Sequence, residues 1–140
     1  MIQLPMWLTP NECTALQAFV AALRERYDGQ VLSVRLFGSK ARGDFDADSD
    51  LDVMVLVHDD NWRLAQAISF LAADVSLAHD VLLSPKVVSL TRWDFLNREG
   101  FAIARNVQSE GIFLDAGRVT QPANRVRDLT CHKFGGNIHT

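Results

Sequence analysis

A chain of 140 residues, 48% of them hydrophobic, has the length of one domain and enough apolar material for a core without a disulfide or metal staple. Its formal net charge of −3 excludes a general nucleic-acid binder, so no direct nucleic-acid binding is expected. The charge is uneven: residues 116–140 carry Arg118, Arg125, Arg127 and Lys133 against Asp128, a balance of +3, which leaves residues 1–115 at −6. No run approaches the ~20 apolar residues of a bilayer span. "MIQLPMWL" lacks the basic start and long apolar run of a signal peptide. Cys13 and Cys131 form no CxxC pair, and Cys131 beside His132 is too little for a zinc site. The expected location is the cytoplasm, with reduced thiols.

In chain order, the first element is a helix in "LTPNECTALQAFVAALRERYDG". Thr9 is its N-cap, Pro10 suits the first helical position, and Glu12 completes a capping box. Leu16, Phe19, Val20 and Leu23 recur at helical spacing, and Gly29 can end the helix. "VLSVRLFGS" (31–39) is a strand stopped by a Gly-Ser turn. "LDVMVLVHD" (51–59) is a second strand whose unbroken apolar run predicts burial on both faces. A helix is predicted over 61–75 from Leu64, Ala67, Ile68 and Leu71. "AHDVLLSP" (78–85) reads as a third strand ending before Pro85. Residues 90–111 read as helix in two pieces broken near Gly100, and "GIFLD" (111–115) as a short closing strand. The order predicts an α/β (α+β) domain over residues 1–115, a small mixed sheet covered by helices. Residues 116–140 have few large apolar residues and read as a polar basic tail, extended or disordered.

"GSKARGDFDADSDLDVMV" (38–55) holds Asp44, Asp46, Asp48, Asp50 and Asp52. A calcium loop does not fit, because with Asp44 first the sixth position is Ser49 and the twelfth Val55. Gly38 permits a tight turn and close approach of another group. The Ser39 hydroxyl and the amides of a short helix beginning at "SKARGD" would suit phosphate, with Lys40 and Arg42 adding positive charge. Asp50 and Asp52 alternate at the mouth of a strand, so both carboxylates point to one side. Two carboxylates so placed repel unless a divalent cation lies between them, and magnesium favours carboxylates completed by water and substrate phosphate. Asp80, at the start of the third predicted strand, is the candidate third carboxylate, since an unpaired charge beside an apolar run is costly. Asp44, Asp46 and Asp48 read as the polar connection, with Arg42 free to pair with one of them or with phosphate. His58, His79, His132 and His139 have no triad or zinc spacing, and Trp62 and Trp93 read as packing residues.

These residues resemble the signature of the nucleotidyltransferases of the DNA polymerase β superfamily: a Gly-Ser turn, about ten residues, then Asp-x-Asp entering a strand. "GSKARG" with "SDLDV" looks most like the minimal nucleotidyltransferase (MNT) branch, and the likeness extends from about residue 10 to 114, "SEGIFL" included. The resemblance implies two magnesium ions on Asp50, Asp52 and Asp80, which are then the catalytic residues, and ATP phosphates held at Gly38 and Ser39, with Arg42 a further nucleotide-binding candidate by its charge. In the MNT branch it further implies an antitoxin that transfers AMP to a tyrosine of a partner HEPN-type toxin. So short a domain draws its acceptor from a partner or from a second copy in a homo-oligomer, and the basic tail suits an acidic partner. The alternatives are nucleotidyl transfer to a small molecule such as an aminoglycoside, or a non-catalytic toxin-binding module.

Overall fold

The computed structural model describes residues 2–46, 48–115 and 129–130. Along the chain run β1 (Ile2–Gln3), α1 (Pro10–Tyr27), β2 (Val31–Phe37), α2 (Ser39–Arg42), β3 (Leu51–Val57), α3 (Trp62–His79), β4 (Leu83–Ser89), α4 (Leu90–Arg98), α5 (Ala102–Glu110), β5 (Ile112–Phe113) and β6 (Leu129–Thr130). A four-stranded mixed sheet in the order β4-β3-β2-β5 forms the centre, with β3–β4 parallel and the other pairs antiparallel.

The helix starts are set locally. Thr9 Oγ accepts the Glu12 amide at 3.1 Å while the Thr9 amide donates to Glu12 Oε1 at 2.9 Å, the reciprocal capping box expected for α1. Asn61 Oδ1 accepts from the Arg63 and Leu64 amides to start α3, and Ser89 Oγ accepts from Arg92 to start α4.

Strand alternation divides the core into two layers. Val31, Val34 and Leu36 of β2 and Leu51, Val53, Val55 and Val57 of β3 share a buried cluster with Leu16, Phe19, Leu23, Ile68 and Leu71 of α1 and α3. On the other face Phe37, Met54, Leu56 and Val88 pack with Trp93, Leu96, Ile103 and Val107 of α4 and α5. β3 is thus buried on both sides except at Asp52. The pairings Phe37↔Asp52 and Asp52↔Ser84 bring the end of β2, the start of β3 and the start of β4 to one edge of the second face.

The third main strand lies at Leu83–Ser89, not over 78–85. α3 continues through His79, and Asp80 is its C-cap in the left-handed region, φ 55° and ψ 48°, a conformation that Asp tolerates. Ser76 stitches this junction. Its carbonyl accepts the Asp80 and Val81 amides, and its hydroxyl donates to Ala72 O at 2.7 Å and accepts from the Leu83 amide at 3.0 Å. Pro85 stands inside β4, which is an edge strand, where a missing amide leaves no ladder bond broken. The break at Gly100, φ 72°, separates α4 from α5, and β5 closes the sheet within 111–115.

Cys13 is buried and is not a free thiol, contrary to the composition-based expectation of reduced thiols. Among the described residues no helix is long and apolar enough to cross a membrane. Most of the segment 116–140, predicted as an extended or disordered tail, lies outside the described residues; Leu129–Thr130 pair in parallel with Ile2–Gln3.

Candidate active site

The site is built on the turn that leaves β2. Gly38 adopts φ 79° and ψ −162°, a region open to glycine. A Cβ there would overlap Asp52 Oδ2, so the turn backbone lies directly against the Asp52 carboxylate. The Gly38 carbonyl accepts the Ala41 and Arg42 amides, each at 3.0 Å, which winds Ser39–Arg42 into the single turn of α2. Gly43 closes that turn in the left-handed region at φ 96°. The Ser39 hydroxyl, half-buried at the start of α2, has no hydrogen-bond partner among the described residues.

Asp52 is half-buried, and this burial is the main cause that pushes its carboxyl pKa up. Lys86 works the other way, Asp50 adds to the rise, Arg42 opposes it, and Glu110 adds to it. Lys86 follows Ser84 on β4 and shares the Asp52 face by register. Among the described residues the carboxylates of Asp50, Asp52 and Asp80 make no hydrogen bond or ion pair, and no three His, Cys, Asp or Glu residues cluster closely enough to hold a metal. The β4 residue in register with Asp52 is Ser84. Asp80 stands back at the helix end, where it shares with Asp50, Asp48, Glu12 and Lys40 the lining of a cleft of about 730 Å³. The structure therefore brings Gly38, Asp52 and Asp50 together on one side, and Asp50 and Asp80 on the other.

The two cations expected near phosphate part company. Lys40 is buried with Nζ on Glu12 Oε2 at 2.6 Å and lies 4.2 Å from the Phe45 ring centroid, turned toward α1. Arg42 stays on the turn and is exposed, bonded to Asp44 at 3.0 Å and to Glu110 Oε2 at 2.9 Å. The hydrogen bond with Asp44 first, and that with Glu110 second, raises its pKa. Asp46 orders the connection, accepting from the Asp48 amide and the Ser49 hydroxyl.

The nucleotidyltransferase domain family matches residues 16–114 of the chain. The chain belongs to this family. Two proteins of Methanocaldococcus jannaschii, provisionally named protein adenylyltransferases, are each 44% identical to it. One match covers 46 residues, 33% of this chain and 46% of the relative; the other covers 59 residues, 41% and 60%. The chain therefore matches roughly half the length of these curated relatives. Among solved structures, a toxin–antitoxin MntA–HpeT variant superposes with a TM-score of 0.51 at 21% identity, over 76% of this chain and 74% of that one. A toxin–antitoxin structure with AMP-PNP gives 0.50 at 23% identity, over 75% and 74%. These two likenesses establish a common fold, the polymerase-β-like nucleotidyltransferase arrangement.

Two charged residues at the site have no local signal in the sequence. Lys86 is one of many surface lysines by pattern. Glu110 reaches Gly38 across 72 positions, and its only pointer is that "SEGIFL" closes the domain.

Proposed function

We propose that this domain is a magnesium-dependent nucleotidyltransferase that moves AMP from ATP to a protein hydroxyl, with a tyrosine of a partner HEPN-type toxin as acceptor. The observation that carries the reading is the packing of the Gly38 backbone against the Asp52 carboxylate, which supports a role for the Gly-Ser turn in holding phosphate beside carboxylates able to take a cation. Asp50 and Asp52 fit magnesium: they are adjacent in influence, lack an ion pair among the described residues, and leave coordination to be completed by substrate phosphate. When bound, magnesium supplies charge neutralisation at the triphosphate and lowers the pKa of an attacking hydroxyl. Two ions are part of this reading, held chiefly by Asp50 and Asp52 with substrate phosphate, while Asp80 stands back across the cleft it lines with Asp50.

The chain's own residues then divide the work. The Ser39 hydroxyl and Arg42 would hold the phosphates, and Gly38 lets them approach the backbone. The acceptor oxygen forms a bond to the α-phosphorus, the bond to the bridging oxygen breaks, and pyrophosphate leaves. The hydroxyl proton passes to a carboxylate, for which Asp80 is placed at the cleft. Toxin–antitoxin neighbours in the fold, one of them with AMP-PNP, support a toxin partner and an adenine nucleotide.

The cleft favours a second reading. Its volume of about 730 Å³ falls in the range of small-ligand sites, and its carboxylates suit a polycationic acceptor such as an aminoglycoside. The test is incubation of the full chain with labelled ATP, magnesium and either the partner toxin or an aminoglycoside. Label on a toxin tyrosine, lost in Asp50→Asn/Asp52→Asn, is the expected result. Label on the aminoglycoside alone moves the assignment to the second reading. Toxin neutralisation with no transfer to either acceptor removes both in favour of a binding module.

A further inference from the structure

We propose that Glu110 is the positioning residue of the phosphate-binding turn, holding the Gly38 backbone and the Arg42 guanidinium at a fixed separation. The inference rests on the nucleotidyl-transfer reading for its purpose, but not for its geometry. α5 ends at Glu110, and Gly111 follows with no room for a Cβ against the Val107 carbonyl, so the chain turns tightly there. β5 then runs antiparallel to β2, which places the end of α5 beside the end of β2. The Glu110 side chain is only 15% exposed. A single oxygen, Oε2, accepts both the Gly38 amide at 2.8 Å and Arg42 Nη1 at 2.9 Å.

That shared oxygen matters because both donors are otherwise held only in part. Gly38 has the widest conformational range of any residue type, and only its carbonyl is held by the turn itself. Arg42 is a long exposed side chain whose other anchor, Asp44, is itself on the surface. With Glu110 in place, Gly38 is pinned through both its amide and its carbonyl, and Arg42 is oriented before a nucleotide arrives. Preorganisation of this kind lowers the ordering cost of binding.

A rival description makes Glu110 a plug that occupies the phosphate seat. The two differ in sign. As a charge, Glu110 stands near Asp52 and opposes a triphosphate. As an acceptor, it orders the turn and favours one. Glu110→Gln keeps a carbonyl oxygen for both donors and removes the charge; Glu110→Ala removes both.

The test is titration of the full chain with ATP and magnesium, with Gly38 amide hydrogen exchange measured by NMR on the same variants. Glu110→Ala is expected to weaken ATP binding roughly tenfold, the loss of about one charge-assisted hydrogen bond, and to speed Gly38 amide exchange. Glu110→Gln is expected to restore slow exchange and to bind within about threefold of the parent chain, or more tightly. Tighter binding by Glu110→Ala assigns the plug and overturns the proposal. So does unchanged Gly38 exchange in Glu110→Ala, or an affinity as low in Glu110→Gln as in Glu110→Ala. If the parent chain binds no ATP, the nucleotidyl-transfer reading fails, and Gly38 exchange in the two variants still decides whether Glu110 holds the turn.

Discussion

The two faces of the central sheet are made from the same strands and have opposite characters. Under α1 and α3 the face is apolar from end to end, with Val34, Leu36, Val53 and Val55 showing no exposure at all. Under α4 and α5 it begins apolar, at Leu56 and Val88, and turns polar at the edge where Asp52, Ser84 and Lys86 stand. Even its covered part holds polar atoms without a hydrogen-bond partner among the described residues, Ser33 Oγ and Arg35 Nε, with the Arg35 guanidinium 4.3 Å from the Phe113 ring centroid. Burial is what lowers the pKa of that guanidinium. One face is sealed by its helices. The other gives up burial at its edge, where Asp52 and Ser84 are half-buried and Lys86 is exposed.

Substitutions should separate the faces cleanly. The largest effect belongs to the polar edge: Asp50→Asn with Asp52→Asn should lower AMP transfer by about a thousandfold or more, some 4 kcal/mol of lost transition-state stabilisation, with no loss in the urea midpoint. Retained transfer would dissolve the functional half of the comparison. Next comes the sealed face, where Phe19→Ala should cost about 3–5 kcal/mol in urea unfolding while leaving nucleotide affinity intact; a matched drop in affinity would mean the faces are coupled.

Gly38→Ala tests the junction between them. Positive φ and the overlap with Asp52 predict a loss of about 1–3 kcal/mol together with weaker nucleotide binding. Gly29→Ala, with nothing within 4 Å of the new carbon and no positive φ, should be neutral or stabilising by under about 1 kcal/mol. Equal behaviour of the two glycines in thermal melts would remove the special status of Gly38.

The smallest effect is electrostatic. Burial places the folded-state pKa of Asp52 above its unfolded value, so the folded chain holds the proton more tightly between the two values. Stability contributed by this group is therefore present at low pH and lost as pH rises through the folded pKa. Asp52→Asn should exceed the parent chain in stability at pH 7, and the difference should shrink as pH falls toward about 4. A difference that grows on acidification contradicts the burial of the Asp52 carboxylate.

Local physics made most of the fold legible. The capping box at Thr9 and Glu12, the β-branched runs of β2 and β3, and the glycine break at Gly100 are each specified within a few residues. The strand carrying Asp52 was readable for the same reason. What escaped depends on contacts distant in sequence. Pro85 reads as a strand terminus unless the strand is known to be an edge. Asp80 reads as a strand residue unless the helix is seen to run to His79 and the Ser76 carbonyl to cap it at Asp80. Lys40 reads as a phosphate cation until Glu12, 28 positions earlier, is found beside it. Glu110 has only its place in the domain-closing "SEGIFL" without the fold.

That last contact orders events in time as well as space. The turn at Gly38 is synthesised early, yet the carboxylate that steadies it arrives 72 residues later. A domain generally folds as a unit, so this contact forms only once α5 and β5 have been made. The Gly38 turn therefore reaches its final form only when the domain is nearly complete, and a chain cut short before residue 110 would lack the carboxylate that holds the Gly38 amide.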